Sequence, residues 1–335
     1  MLVEQTNFKA CCDILRAAQL KRTLGPHHLQ GMKKRPYTQF LSPRYWPTWL
    51  GFLLLRILVF LPLPVLALLG QGIGLMFYYL GSARRKIAER NITACFPEKS
   101  LKECQRINRA HFKYAGQMVL TLPLNWWSSD KRFNGWISQR NREIYDKALQ
   151  GDKNIILLAP HFVALEVAGV YLSQERPMAS MYQYSKNTLV DEVVRQGRLR
   201  FGGELVERKG PLRKLLRLIN SGYPFIYLPD QDAGRKGVFV PFFHELASTI
   251  PMLANFARFT DSVVIPIRTE IKPWGRGYEI VFNEPMENFP VGDQILDTTS
   301  MNQVIEKMVR ENPEQYFWAH KRFKTRPKGE AKFYN

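Results

Sequence analysis

The sequence predicts an α/β fold, with a mixed, largely parallel central sheet flanked by helices and preceded by a hydrophobic membrane anchor. Three observations lead to this prediction. From about residue 97 onward, short apolar runs alternate with stretches of helical periodicity, as in parallel sheets whose strands are connected by helices. Residues 154–159 are almost entirely apolar, which is typical of a strand covered on both faces. Residues 45–83 carry a single charge, Arg56.

The predicted elements follow this alternation along the chain. Strands are expected at residues 154–159, 178–184, 204–207, 225–228, 263–269 and 278–282. Helices are expected at residues 97–124, 136–150, 162–172, 189–200, 211–220, 252–259 and 301–311. The simplest partition is an N-terminal extension at 1–44, an anchor at 45–83 and one large domain at 84–335, because no repeat or low-complexity linker divides the remainder.

The apolar segment before this domain has two interpretations. Residues 57–83 are long enough to cross a bilayer, which takes about 20 helical residues, but Pro62 and Pro64 interrupt the segment and would kink or break a helix. The segment is either a tilted, kinked transmembrane helix or a pair of short helices that dip into one leaflet. A buried helix of a soluble protein is the alternative to both. Basic residues on both sides favour two cytoplasmic ends, and Gly70 and Gly74 form a GxxxG pattern, a weak signal for helix packing.

Composition limits the classes of function. The chain has 335 residues, of which 45% are hydrophobic and 13% aromatic, and this excludes a disordered protein. Its formal net charge of +19 indicates anionic partners, such as phospholipid headgroups, phosphorylated lipids, nucleic acid or an acidic carrier protein. The four cysteines form no CxxC pair, so neither disulfides nor structural zinc are expected, and a reducing compartment is favoured.

His161 and Glu166 are the first candidate site residues. They are separated by four residues and follow the strand at 154–159, where Pro160 disfavours a helical conformation at Ala159. A histidine at the exit of a strand can remove a proton from an alcohol near neutral pH, and a carboxylate in the following helix can fix its tautomer. A capping or otherwise satisfied polar histidine is the alternative, because residues five apart on one helix do not share a face.

Two further motifs contain candidate binding residues. The segment RQGRLRFGG places Arg198 and Arg200 beside glycines, and guanidinium groups match phosphate oxygens, although a solvated basic face is an equal explanation. The segment YLPDQDAG presents Asp230 and Asp232 after a predicted strand, where α/β proteins hold their sites. No second acidic cluster supports a metal there, so no metal is predicted, and plain turn residues are the alternative.

The C-terminal segment EQYFWAHKRFKTRPKG mixes aromatic and basic side chains. Interleaving of this kind suits a nucleic-acid surface and an anionic lipid headgroup equally well. It predicts a ligand-facing surface near residues 314–329.

Taken together, these motifs resemble those of the bacterial lipid A secondary acyltransferases, the lauroyl and myristoyl transferases of late lipid A biosynthesis. The matching blocks lie in family order from about residue 40 to 328: LSPRYWPTWLG, RNITACFPE, APHFVALE, RQGRLRFGG, LPDQDAG and PEQYFWAHKRFKTRP. The resemblance implies a glycerolipid acyltransferase-like fold and a membrane-bound enzyme on the cytoplasmic face of the bacterial inner membrane. Such enzymes move a fatty acyl group from acyl carrier protein to a hydroxyacyl chain of a Kdo-bearing lipid A precursor, without a cofactor. The expected partners are therefore acyl carrier protein, the lipid A precursor and anionic inner-membrane lipids.

Carried onto this sequence, the family's His-x4-acid pair is His161 and Glu166, its basic motif includes Arg198, and its PDQD motif includes Asp230 and Asp232. We expect His161 to deprotonate the acceptor hydroxyl and Glu166 to orient and stabilise the imidazole. Direct attack on the thioester is expected, since no Ser or Cys lies in a convincing nucleophile motif.

Two other functions are compatible with parts of this pattern. A lysophospholipid-type glycerolipid acyltransferase would share the His-x4-acid arrangement, but such enzymes usually carry aspartate at the acidic position and different downstream blocks. A membrane-tethered nucleic-acid-binding protein would explain the charge and the C-terminal segment, but the charge is spread along the chain and no nucleic-acid motif is present, so no nucleic acid is expected.

Overall fold

The computed structural model describes residues 35–334, and residues from Phe40 onward form one compact unit. Most of the predicted N-terminal extension therefore lies outside the described residues. The strands are β1 (Ile137–Arg140), β2 (Asn154–Leu158), β3 (Ala179–Tyr182), β4 (Glu204–Glu207), β5 (Phe225–Tyr227), β6 (Val238–Phe242), β7 (Glu245–Thr249), β8 (Ser262–Ile271) and β9 (Tyr278–Phe282). The helices are α1 (Trp46–Leu58), α2 (Leu63–Leu80), α3 (Ser82–Cys95), α4 (Leu101–Trp127), α5 (Asp130–Asn134), α6 (Arg142–Gln150), α7 (Leu165–Leu172), α8 (Thr188–Arg198), α9 (Leu212–Asn220), α10 (Leu253–Phe259) and α11 (Gln294–Glu311).

Seven strands form one sheet in the order β1-β9-β8-β2-β5-β3-β4. Neighbouring strands in it run parallel except β8 and β9, which are antiparallel, so the prediction of a mixed, largely parallel sheet is confirmed. Successive residues of β2 alternate between two apolar clusters, with Ile156 and Leu158 in one and Ile155 and Leu157 in the other. This alternation shows that β2 is buried on both faces, as its apolar sequence predicts.

The helix α3 (Ser82–Cys95) has no counterpart among the predicted elements, and two stretches differ in their strands. The predicted helix at 136–150 is wrong in its first part: β1 occupies that part and pairs with β9, and Asn141, at φ 57°, separates it from α6. The antiparallel hairpin of β6 and β7 was not predicted. Pro241 lies within β6, and a proline inside an apolar run argues against a strand, while the turn uses Phe243 at φ 54° in place of a glycine.

The predicted anchor consists of two helices with a break between them. Pro62 is the N-cap of α2 and Pro64 lies in its first turn, so the prolines end one helix and begin the next, as expected from their fixed φ. The side chain of Arg132 donates to the carbonyls of Val59 and Leu61 in this break. Of the helices that the structure describes, α2 is long and apolar enough to cross a membrane.

The GxxxG pattern of α2 forms a close contact with α4. A Cβ atom at Gly70 would lie 2.5 Å from Cα of Gln117, and one at Gly74 would collide with the carbonyl of Phe112. Gly116 of α4 faces both glycines at the same crossing. These three glycines therefore allow the backbones of α2 and α4 to approach more closely than any residue with a side chain would permit.

Two alanine substitutions in α2 should differ in their effects on stability. Gly74→Ala forces a methyl group into the backbone of α4 and should lower the free energy of unfolding by about 1–3 kcal/mol. Gly72→Ala is the matched control, because a Cβ at Gly72 meets no atom within 4 Å. It should leave stability unchanged or raise it by up to about 1 kcal/mol, since alanine favours helix over glycine. Thermal unfolding of both purified variants in detergent would measure the difference, and equal melting temperatures would contradict the contact.

Candidate active site

The carboxyl ends of two neighbouring strands place two polar side chains together. Leu158 of β2 pairs with Tyr227 of β5 in parallel register, and His161 and Asp230 follow these residues by three positions each. Because parallel strands end at the same edge of a sheet, the two side chains meet there.

Asp230 contacts His161 through both carboxylate oxygens. Its Oδ1 lies 2.6 Å from Nδ1 of the imidazole, and its Oδ2 accepts the backbone N–H of His161 at 2.8 Å. An ionised carboxylate can only accept hydrogen bonds, so Nδ1 carries a proton and Nε2 keeps its lone pair. Among the described residues, Nε2 has no hydrogen-bond partner, and 23% of the His161 side chain is exposed. The imidazole is therefore fixed in the tautomer that a general base requires.

The contact between His161 and Asp230 favours the charged form of each side chain, the imidazolium and the carboxylate. Burial by itself would lower the pKa of His161, but the charge and hydrogen bond of Asp230 outweigh it, so the pKa lies above its ordinary value. Burial would raise the pKa of Asp230, yet His161 and a hydrogen bond from Tyr316 hold it at about 2. Asp230 thus stays ionised at neutral pH and stabilises an imidazolium beside it.

Glu166 lies in the first turn of α7 and contacts Arg198 at the end of α8. Nε of Arg198 donates to Oε2 of Glu166 at 2.9 Å, and Nη2 donates to Oε1. The spacing of His161 and Glu166 predicts that Glu166 orients the imidazole, but Asp230 makes that hydrogen bond, because β5 lies directly beside β2. The charge of Glu166 still raises the pKa of His161, after the larger effect of Asp230. A catalytic role for Glu166 stays a prediction.

Arg200 lies outside this group. Its guanidinium donates to the carbonyls of Asn125 and Ser128 near the end of α4, and it forms an ion pair of 2.5 Å with Asp130. The last carbonyls of a helix lack partners within the helix, so Arg200 stabilises the end of α4. Its predicted contact with substrate has no support in this geometry.

Asp232 connects its loop to the C-terminal segment. Its carboxylate accepts the backbone N–H and the hydroxyl of Thr325, each at 3.0 Å, and its own backbone N–H donates to Nε2 of His320 at 3.0 Å. Asp230 and Asp232 therefore face different partners. Among residues 35–334, no three His, Cys, Asp or Glu side chains gather into a possible metal site.

The C-terminal segment, predicted to face a ligand, is divided between the surface and the core: Phe317, Lys321 and Lys324 are exposed. Trp318, Phe323 and Arg322 are buried, and Arg322 donates to the carbonyl of Ser248 at 2.8 Å and to the hydroxyl of Thr249 at 2.6 Å. The segment also pairs with the loop after β2, where the backbone N–H of Phe317 donates to the carbonyl of His161 at 2.9 Å. Its buried aromatic and basic side chains thus support the site from within the core.

A cavity of about 860 Å³ opens beside His161, within the range of about 300–1,000 Å³ typical of ligand sites. Glu166 and Arg198 also line it, whereas Arg200 and Asp232 do not. Much of the wall is apolar, with Met178, Met181, Ile226, Leu228, Met252 and Phe256. Three basic side chains, Arg208, Lys209 and Lys236, also contribute to the lining. An apolar cavity with cationic groups suits a ligand that combines a hydrocarbon chain with an anionic group.

A model of the bacterial lipid A biosynthesis acyltransferase family matches residues 33–325. The chain belongs to this family. It is 34% identical over 294 residues to the lipid A biosynthesis lauroyltransferase of Escherichia coli (strain K12), covering 87% of this chain and 96% of that protein. It is 33% identical over 298 residues to the palmitoleoyltransferase of the same organism, covering 88% and 97%. With the myristoyltransferase it shares 30% identity over 301 residues, covering 88% and 92%.

As a member of the lipid A acyltransferase family, the chain is an enzyme, and the predicted family and enzyme class are confirmed. The sequence pattern predicted His161 and Asp230 as site residues but did not predict that they contact each other. One signal was present: both residues follow an apolar strand and a proline, as APH and LPD. Pro160 and Pro229 each follow the end of a strand by the same number of residues. If the two strands are neighbours in a parallel sheet, this match indicates that His161 and Asp230 lie close together.

Proposed function

We propose that this lipid A acyltransferase moves a fatty acyl group from acyl carrier protein to the hydroxyl of a hydroxyacyl chain on a Kdo-bearing lipid A precursor, with His161 as general base. The observation that carries the proposal is the His161–Asp230 pair at the wall of a large, mainly apolar cavity. The family supplies the lipid A precursor as substrate class. The names of these relatives specify lauroyl, palmitoleoyl and myristoyl groups, which suit an apolar cavity of this volume.

In the proposed reaction, Nε2 of His161 removes the proton from the acceptor hydroxyl. The alkoxide oxygen attacks the thioester carbonyl, a C–O bond forms, and the carbonyl oxygen becomes an oxyanion. The C–S bond then breaks, and the departing thiolate of the carrier takes the proton from the imidazolium. Asp230 stabilises the imidazolium between these two proton transfers because its carboxylate stays ionised beside Nδ1.

The transfer is proposed to be direct, without an acyl-enzyme and without a cofactor. The cysteines of the described chain, Cys95 and Cys104, are buried and do not line the cavity. Of the two described serines that line the cavity, Ser173 donates its hydroxyl to the carbonyl of Gly169 at 2.7 Å, near the end of its own helix. Ser180 lies on β3, and no histidine of the described chain is hydrogen-bonded to it. The pair of His161 and Asp230 therefore acts on the hydroxyl of the acceptor rather than on a nucleophile of the enzyme.

Arg198 is proposed to bind anionic oxygens in the cavity. Two of its nitrogens hold Glu166, so the guanidinium is kept in a fixed orientation beside His161, at the centre of the reaction. Such a group can stabilise the oxyanion of the thioester or a phosphate of the lipid. Glu166 in this proposal positions Arg198 and adds negative charge near the imidazole.

The enzyme is proposed to work at the cytoplasmic face of the inner membrane. The exposed apolar side chains of α1 and α2 support attachment to lipid. The net charge of +19 would attract an acidic carrier protein and anionic lipids to the same surface.

An assay with two acceptors tests the proposed function. The purified protein with acyl-loaded carrier protein should add one acyl group to a Kdo-bearing lipid A precursor, seen by mass spectrometry of the product. Lysophosphatidic acid, offered in parallel, should remain unchanged. Preferential acylation of lysophosphatidic acid would overturn the assignment of the acceptor and favour a lysophospholipid-type acyltransferase.

A further inference from the structure

The two helices of the predicted anchor carry many exposed apolar side chains. Six large ones lie on α1 and the break that follows it, namely Trp46, Leu50, Leu53, Leu54, Ile57 and Phe60. On α2 the corresponding set is Val65, Leu68, Leu69, Met76, Phe77 and Leu80. Exposed apolar surface on this scale marks a surface that binds a lipid or a protein.

The other face of α2 packs on α4 along most of its length. Gly70 and Gly74 contact α4 closely, the side chain of Gln71 donates to that of Gln117 at 2.9 Å, and the ring of Tyr78 lies 5.7 Å from that of Phe112. α2 is therefore joined to the folded domain from its middle to its end.

This contact argues against a transmembrane position for α2. A Cβ atom at Gly74, near the middle of α2, would lie 3.0 Å from Cα of Lys113 on α4. If α2 crossed a bilayer, Lys113 and the pair of Gln71 and Gln117 would lie near the centre of the hydrocarbon. Charged side chains at that depth are costly, so α2 is better placed with its exposed face in one leaflet and α4 outside the lipid.

A third element lies at the beginning of α2. The turn between β8 and β9 contains Trp274, which is 82% exposed and has a φ of 61°. The turn is tied to α2, because a Cβ atom at the neighbouring Gly275 would lie 2.5 Å from Cα of Pro64. Lys272 and Arg276 lie two residues before and two residues after Trp274 in the sequence. An exposed tryptophan between basic residues is the composition that anionic membrane interfaces select.

We infer that α1, α2 and the turn at Trp274 form one membrane-binding face that enters a single leaflet, with the indole at headgroup level. The partner is an anionic phospholipid surface, because Lys272 and Arg276 supply the complementary charge. The inference rests on the proposed membrane attachment and specifies its geometry. It accounts for a turn that packs closely against α2 and yet exposes its largest apolar side chain to solvent.

Cysteine labelling from the two sides of the membrane tests the single-leaflet geometry. Arg276→Cys and Ala83→Cys mark the two ends of α2 in a chain whose Cys11 and Cys12 are replaced by Ser; Cys95 and Cys104 are buried. An impermeant maleimide should label both sites in cytoplasmic-side-out inner-membrane vesicles and neither in spheroplasts. Labelling of the two sites from opposite sides would overturn the inference. Labelling of both sites only in spheroplasts would instead contradict the proposed cytoplasmic face.

Vesicle binding tests the contribution of the turn. Trp274→Asp should reduce binding to phosphatidylethanolamine–phosphatidylglycerol vesicles by at least roughly threefold, as measured by sedimentation, because a carboxylate at the interface is repelled by anionic lipid. Val291→Asp is the matched control. Val291 is also exposed, but it follows the C-terminal end of β9, whereas Trp274 precedes the N-terminal end of that strand. Both variants should keep normal acyl transfer in detergent micelles, which separates this test from that of the enzyme's function. If Trp274→Asp binds vesicles as well as the unaltered protein does, the turn is not part of the membrane-binding face.

Discussion

His161→Ala should lower kcat/KM for acyl transfer by roughly 10²–10⁴-fold, the range that a positioned general base contributes. Without the imidazole, the acceptor hydroxyl stays protonated and the thioester is attacked by a much weaker nucleophile. The cavity and Arg198 remain, so the substrates should still bind and KM should change little. Steady-state kinetics with acyl carrier protein and the lipid A precursor would measure both constants.

Two further variants separate this effect from a change in folding. His161→Gln keeps a polar side chain that can hydrogen-bond to Asp230, and it should be as inactive as the alanine variant. His244→Ala removes an exposed histidine in the turn between β6 and β7 and should retain full activity. Near-normal turnover by either His161 variant would contradict the role of His161 as base.

Asp230→Asn should reduce kcat by roughly 10³–10⁴-fold, the loss expected when the partner of a catalytic histidine can no longer fix its tautomer. The amide can donate to Nδ1, which would move the ring proton to Nε2 and remove the lone pair that accepts the substrate's proton. Glu166→Gln is the matched comparison, because it also replaces one carboxylate by an amide. It should cost only roughly 10–10²-fold, since a single hydrogen bond to a charged group contributes about 1.5–3 kcal/mol, each 1.4 kcal/mol is a factor of about ten, and glutamine can retain one of the two hydrogen bonds to Arg198.

The relative size of these two losses decides which carboxylate serves the histidine. A greater loss in Glu166→Gln than in Asp230→Asn would favour the assignment made from the spacing of His161 and Glu166 alone. Circular dichroism of both variants would exclude unfolding as the cause, because Asp230 is buried and its loop contacts the core.

The local pattern of residues predicted the central elements of the fold. β2, β4, β5 and β9 begin at the predicted residues, because each is a short segment with apolar residues at its centre, bounded by turn residues. β1 and the hairpin of β6 and β7 were not predicted, since a partly exposed edge strand and a strand with an internal proline lack that pattern. Their positions depend on pairing with residues distant in sequence, such as β9 in the case of β1.

The candidate site could be predicted only in part for the same reason. His161 stands at a strand end that its own neighbours define, and this feature is visible in the sequence. Its partner Asp230 is 69 residues away and depends on the order of strands in the sheet, which periodicity does not provide. The contacts of Arg200 and of the C-terminal segment could not be predicted either, because charge and aromatic content do not reveal whether a side chain faces a ligand or the core.

The pH dependence of kcat/KM is the most direct test that an Asp230-bound His161 is the base. A base must be neutral to accept a proton, so activity should rise with pH through the pKa of His161, which Asp230 raises above its ordinary value. In Asp230→Asn this rise should occur at lower pH, and in Glu166→Gln it should shift in the same direction by less. An unchanged profile in Asp230→Asn, or a larger shift in Glu166→Gln, would contradict the account.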